Sequence, residues 1–368
     1  MQLSQFSTQI EKTGFVLENR VAQQLKAAKW TVISNRYYVD DAEESVREID
    51  LVAYKATRVQ HFDVYTTLLI SCKKNESNAW ALLSREIDLK DPNSDWQPLH
   101  AWSNDKALAF QLSVPGVAKL YHDAAEQSGA GAVFRTPEVE VFAFQEMNKV
   151  SGTPQNDKAI FQAVTSLMKS QAYELGALPQ RKRTPAVYQF NLLSLVDSDL
   201  VRINFSTGLA NAEAIDQEHY IARYIIKKKE TFSRIRFLKA NVFEKLIPEY
   251  SELHTANCAW FDAQCHAFYA DILQDEKRSQ ELLTEFRQVI SWPFRLALQE
   301  QGINVPESKS ICFSWSKTNN MVIIYAPVGG EGAMALNKDS SFRSKVSAAL
   351  SKIFRYNGDF MFQDDIPF

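Results

Sequence analysis

The sequence predicts an α/β protein with a mixed central sheet flanked by helices, its core ordered helix, three strands, helix, strand. Three observations predict it. A stripe of Leu17, Val21, Leu25 and Ala28 recurs at helical spacing near the start. Three runs rich in β-branched and aromatic residues follow, over 30–39, 46–55 and 62–73. A helical segment at 105–126 then leads into a strand-like stretch at 139–144. Beyond this core a β-rich extension and a C-terminal α+β region are expected.

The individual elements follow from local pattern. The first helix is expected over 6–28, with polar residues on its outer face. Leu68-Leu69-Ile70 is apolar at consecutive positions, which marks the third strand as covered on both faces and therefore central. Residues 76–100 hold Trp80, Pro92, Trp96 and Pro98 and read as loop-rich, and the following helix breaks near Pro115. Helical spacing returns over 157–174 through Phe161, Val164, Met168 and Ala172. After Pro179, 186–196 and 200–205 alternate around Asp197-Ser198-Asp199 and read as a hairpin. Strands at 220–226 and 234–238 and a helix at 242–250 close that block. From 256 onward come a helix over 278–301 bent at Pro293, a hairpin of 311–315 against 321–325, and a helix over 341–354. The implied domains are 1–178, 179–255 and 256–368, in keeping with the two or three cores that 368 residues need.

Composition narrows the function classes. Hydrophobic residues make up 45% and charged residues 23%, as in an ordinary globular protein. No apolar run approaches the ~20 residues of a membrane helix, and MQLSQFSTQIEKTG lacks the cationic start and apolar stretch of a secretory signal. A cytoplasmic protein with no membrane partner is the expectation. A net charge of -3 argues against coating nucleic acid through bulk charge but leaves room for a local basic groove. Arg181-Lys182-Arg183 and Lys227-Lys228-Lys229 are the basic runs, and such runs are usually solvated surface; the first is the candidate for gripping a nucleic-acid backbone. Cys72, Cys258, Cys265 and Cys312 are scattered, which fits reduced thiols. His254, Cys258, Cys265 and His266 do not have zinc-pair spacing, and a helix with buried thiols and surface histidines explains them better. The chain has no P-loop, dinucleotide fingerprint, H-E-x-x-H or G-x-S-x-G motif, and the glycines at 329, 330 and 332 read as turns. Trp80, Trp96, Trp102, Tyr188 and Phe190 could include base-stacking platforms, although core packing accounts for most such residues.

Three charged positions interrupt apolar stripes. Gly14, Glu18, Ala22 and Leu25 fall along one side of the first helix, which sets Glu18 between two small residues at the buried face. In Arg47-Glu48-Ile49-Asp50-Leu51-Val52, Glu48 and Asp50 share a side of the second strand. In Ile70-Ser71-Cys72-Lys73, Ser71 and Lys73 share a face of the third. If those strands are neighbours, Asp50 and Lys73 converge where the sheet meets the first helix. Carboxylates that hold a divalent cation beside a lysine are the equipment of phosphodiester hydrolysis.

Gly14-Phe15-Val16-Leu17-Glu18, Arg-Glu-Ile-Asp50 and Ile-Ser-Cys-Lys73 together resemble the signature of the PD-(D/E)xK superfamily, with Mrr-like bacterial domains the nearest in character. The resemblance covers 10–75 by motif and reaches 175 by element order. It implies a restriction-endonuclease-like sheet, Mg²⁺ or Mn²⁺ held by Glu18, Asp50 and the backbone carbonyl of Cys72, and Lys73 as a catalytic residue. The family's acidic residue falls at Ser71, which carries no charge. Three outcomes stay open: the remaining ligands suffice with Ser71 assisting, Glu48 compensates, or the site is inactive. The reading that follows is an endonuclease acting on DNA in defence against foreign DNA, with a separately encoded motor or targeting partner and homodimerisation to cut both strands. The alternative is an inactive nuclease-fold protein that binds nucleic acid or acts as a scaffold, with RNA as a third substrate reading.

Overall fold

The computed structural model describes residues 3–11, 13–40, 44–206, 208–304 and 310–365. Its contacts divide it into two compact units. One holds the residues up to Asp105 together with Val114–Asp262, the other Lys106–Ser113 with Ala263–Phe368. The boundary expected at 178 therefore separates nothing, because the residues on both sides of it build one unit, and the boundary expected near 256 lies at 262.

The first unit opens with two helices, α1 (Leu3–Ile10) and α2 (Gly14–Ala27), where one was expected. Thr13, in an extended conformation, stands between them at the start of α2. Strands β1 (Thr31–Val39), β2 (Val46–Val59) and β3 (Phe62–Lys74) follow as an antiparallel meander. The region read as loop-rich contains β4 (Asn78–Arg85), and β5 (Ala101–Ser103) follows directly after it. Next come α3 (Lys106–Ser113), which belongs to the second unit, α4 (Val117–Gln127), β6 (Glu140–Asn148), α5 (Lys158–Arg181) and β7 (Ala186–Asp197). Then β8 (Leu200–Asn204), β9 (Asn211–Ile215), β10 (Gln217–Ile226), β11 (Lys229–Lys239) and α6 (Phe243–Tyr269) complete the series, the residues of α6 up to Asp262 belonging to this unit.

The main sheet runs β1-β2-β3-β7-β11-β10, with β5 paired to the first half of β7. The strand that lies parallel to β3 is β7, in register from Asp63↔Ala186 to Lys74↔Asp197. The strand expected at 139–144 forms as β6, but it joins a second sheet of order β6-β4-β8-β9. The expected hairpin of 186–196 with 200–205 does not form either. β7 is buried almost throughout, as a strand covered on both faces must be, and the chain leaves it at Asp197-Ser198-Asp199 to enter the second sheet as β8. A parallel pair cannot be closed by a tight turn, and α5 lies in the crossover between β3 and β7.

Helices cover both faces of the main sheet. On one, Leu17, Val21 and Leu25 of α2 and Phe243 and Ile247 of α6 pack with Leu51, Leu68, Ile70, Cys72 and Leu193. On the other, Ile160, Val164 and Leu167 of α5 pack with Val52, Leu69 and Leu192. Alternation along β2 and β3 produces this division, since Leu68 and Ile70 face one helix layer and Leu69 the other.

The second unit has α7 (Glu276–Gln299), β12 (Cys312–Ser316), β13 (Met321–Ala326), α8 (Gly329–Lys338), α9 (Ser340–Phe354) and β14 (Phe360–Asp364). β12 and β13 form the expected hairpin, and β14 adds parallel to β13. α7 runs on through Pro293. The glycines read as turns at 329, 330 and 332 begin α8 instead. The core here is built on Phe286, Ile290, Phe294, Val322, Ile324, Phe342 and Phe354. Among the described residues no helix is long and apolar enough to cross a membrane.

Candidate active site

β2 and β3 are hydrogen-bonded partners from Val59↔Phe62 to Leu51↔Ile70, and there the ladder ends. Beyond it β2 stays with β1, through Arg36↔Ile49 and Tyr37↔Glu48, while β3 stays with β7, through Ser71↔Ser194 and Lys73↔Val196. The two strands fork. Groups that would otherwise pair across the ladder are released there and must find other partners.

Asp50 sits in this fork and gathers them. The amide of Cys72 donates to Asp50 Oδ2 at 2.6 Å, and Ser71 Oγ and Lys73 Nζ each donate to the same oxygen at 3.2 Å. Among the described residues all of the hydrogen bonds to Asp50 end on Oδ2, which leaves Oδ1 open. Asp50 and Lys73 thus converge as expected, joined by Ser71, but on the face covered by α5 and not where the sheet meets the first helix. They line a cavity of about 50 Å³ together with Glu48 and with Ser166 and Ser170 of α5. Neither serine of α5 carries a signal in the sequence, because its side chain is indistinguishable from helix surface until α5 is laid on the sheet.

Glu18 differs in placement. Its helix packs on the opposite face of β2 and β3, and among the described residues it makes no hydrogen bond or ion pair. It nonetheless feels the fork. Burial first, then the charge of Asp50, lift its pKa from 4.5 to about 7 against the opposing pull of Lys73. A half-buried carboxylate beside another carboxylate, with no partner of its own, is held in a state that a cation would relieve. Glu48 adds to the same repulsion while its own carboxylate accepts from Asn35 Nδ2 at 2.7 Å.

Cys72 divides its roles. The thiol is buried among Leu51, Ile70 and Leu193, and burial raises its pKa well above the ordinary value, so it is a packing group. Its backbone does the polar work. The N–H and C=O of one strand residue face the same edge, so the Cys72 carbonyl faces the fork as its amide does. Asn35, opposite Asp50 on β1, has φ of 54°, and the Cα pairing of β1 with β2 skips this position. Asparagine tolerates that left-handed conformation better than most residues. Nothing in 30–39 singles it out, since the stretch otherwise reads as unbroken strand.

Among the described residues no group of three His, Cys, Asp or Glu side chains is placed to hold a metal ion. Asp50 and Glu48 line the cavity and Glu18 stands near it, while Ser71 supplies no charge at the position between them and Lys73. The oxygen donors still suit a hard cation, because Mg²⁺ keeps several waters and is commonly bound through one or two carboxylates.

The other sequence candidates are placed differently. Arg181 pairs with Glu174 at 2.5 Å, and Lys182 donates to the Tyr65 hydroxyl at 2.9 Å and faces Asp63 at 3.6 Å. Arg183 is exposed. Only part of that basic run is therefore unengaged. His254 is buried on α6, hydrogen-bonded to Thr57 and Thr66, which corrects the expectation of a surface histidine; His266 is exposed. No family model, curated protein or solved structure matches this chain.

Proposed function

We propose that the chain is a Mg²⁺- or Mn²⁺-dependent endonuclease of the restriction-endonuclease-like class, acting on phosphodiester bonds in DNA. Its proposed setting is defence against foreign DNA, with a separately encoded partner for targeting. The observation that carries this reading is the fork, where Asp50, Ser71, Cys72 and Lys73 meet and Glu18 is held with a pKa near 7. The order α2, antiparallel β1-β2-β3, α5 and parallel β7 supports the class as well.

In this reading Glu18, Asp50 and the Cys72 carbonyl hold the cation. When bound, it supplies charge neutralisation at the phosphate and a more acidic water. Asp50 is kept in one orientation by the Cys72 amide and the Ser71 hydroxyl. Lys73 stands at the edge of the cavity, where its ammonium offsets the negative charge that develops on the phosphate oxygens. The serine favours a second reading, an inactive protein of the same fold that binds nucleic acid. With Ser71 donating to Asp50, the fork has one carboxylate fewer than the family pattern implies.

Cleavage of plasmid DNA and of single-stranded RNA with Mg²⁺ or Mn²⁺ tests the proposal. Wild type should cut DNA, whereas Asp50→Ala and Lys73→Ala should not. Metal-dependent nicking that survives both substitutions removes this site. Binding without cutting, under either metal, selects the inactive reading.

A further inference from the structure

The face of the sheet that carries Asp50, Ser71 and Lys73 continues into a second, larger cavity of about 300 Å³. Its character is different. One wall is aromatic: the rings of Tyr65 and Tyr188 stack with centroids 4.2 Å apart and planes 2° from parallel. Tyr54 joins them at 5.7 Å and Phe190 at 6.2 Å. The three tyrosines are half-buried, so their rings are held in place yet reachable.

The opposite side is built from α5 and β1. Glu174, 5% exposed, accepts from Arg36 Nε at 3.0 Å on one carboxylate oxygen and from Arg181 at 2.5 Å on the other. The acid is used up in holding two guanidiniums. Among the described residues neither guanidinium makes another hydrogen bond, which leaves several N–H donors and one net positive charge at the mouth of an aromatic slot. Two separate demands are thus placed on an occupant: a flat ring to stack, and acceptor atoms along its edge.

A nucleobase meets both. Aromatic stacking binds any base, and arginine donors pair best with the two adjacent acceptors on guanine. Position narrows the source. Val52 and Tyr54 of the cavity lie two and four residues along β2 from Asp50, roughly 7 and 13 Å at the rise of a strand. That is the distance of a neighbouring nucleotide on the strand whose phosphate reaches the fork. α5 serves both places, with Ser166 and Ser170 at the small cavity and Glu174 and Arg181 at the large one.

We infer that this cavity takes one unstacked nucleobase, guanine preferred, from the strand engaged at the fork. The inference rests on the proposed nuclease reading for the identity of that strand. An aromatic pocket for a displaced base is also a means of selecting unpaired or distorted DNA, where unstacking costs least.

The test measures binding, not cutting, so that the two readings fail separately. Fluorescence anisotropy in EDTA compares a short thymine-rich single strand carrying one central guanine with the same strand carrying an abasic site there. Wild type should bind the guanine strand roughly tenfold more tightly. Arg181→Ala and Tyr188→Leu should each abolish that ratio, Tyr188→Leu leaving abasic-strand affinity within about twofold and Arg181→Ala lowering it through the lost charge, with thermal unfolding used to verify that both variants are folded. Equal binding of the two strands by wild type overturns the inference, and so do variants that keep the ratio. Guanosine monophosphate is the second arm: if it saturates the protein while the strands are not distinguished, the site serves a free nucleotide and the strand-base assignment is wrong. Discrimination by a protein that never cuts would sink only the nuclease reading. Cutting that is indifferent to the abasic site would sink only this one.

Discussion

Two glutamates of the first unit, one buried and one half-buried, meet their charge in opposite ways. Glu218 on β10 is 5% exposed, and Arg202 donates to one of its oxygens through Nε at 2.8 Å and NH2 at 2.6 Å. The amide of His219 donates to the other at 2.9 Å. Burial raises its pKa, and Arg202 works against the rise. Glu18 is more open to water yet has no such partner, and what lies near it is a second carboxylate. A buried acid that is fully paired belongs to the architecture. One left next to a like charge has a raised pKa and marks a candidate functional group.

The largest effect that could break this contrast is on catalysis. Asp50→Ala should lower DNA cleavage by roughly a thousandfold, the scale of several kcal/mol of lost transition-state stabilisation, in a plasmid-nicking time course. Asp50→Asn, which keeps an acceptor for the Cys72 amide, should lose cleavage to a similar degree while leaving the chemical denaturation midpoint nearly unchanged.

Glu218→Gln should do the reverse. Removing one partner of a buried ion pair costs about 3 kcal/mol, read as a lower denaturation midpoint, while cleavage per folded molecule is retained. Equal behaviour of the two variants would erase the distinction between a carboxylate that serves the fork and one that holds the fold.

A smaller change is expected at Ser71. Ser71→Asp adds the missing carboxylate and should lower the Mg²⁺ concentration for half-maximal cleavage by about tenfold, since ligand charge sets affinity. An unchanged or higher half-maximal Mg²⁺ concentration in the variant would show that position 71 does not face the cation.

The subtlest prediction concerns pH. A carboxyl whose pKa is raised in the fold stabilises it fully below the unfolded value, here about 4.5, and loses that contribution as pH rises through about 7. In EDTA, the melting temperature of wild type should therefore fall between pH 4.5 and 7 relative to Glu18→Gln. Mg²⁺ at pH 7 should restore much of the difference. Parallel melting curves for both proteins across that range would mean that Glu18 is not under strain.

Local pattern disclosed Asp50, Ser71 and Lys73 because each breaks an apolar run, and strand alternation alone sets two of them on one face. It also disclosed β2 and β3, which are joined by a short turn. Pattern failed where pairing is distant. The stretches at 139–144 and 186–196 are both apolar and strand-like, and nothing within either says which lies beside β3. Asp197-Ser198-Asp199 has the composition of a hairpin turn, yet it passes the chain between sheets. β14 went unseen because a short strand that adds parallel has no turn to announce it. The aromatic wall was hidden for a similar reason. Tyr65 and Tyr188 stack only once their strands, far apart in the chain, come into register.

That late pairing has a consequence for how the chain is made. The two neighbours that finish the centre of the sheet are separated by roughly 120 residues, so β3 leaves the ribosome long before β7 exists and its Leu68-Leu69-Ile70 edge stays bare in the meantime. Nascent or truncated chains that stop short of Asp197 are the ones that should clump and call on chaperones.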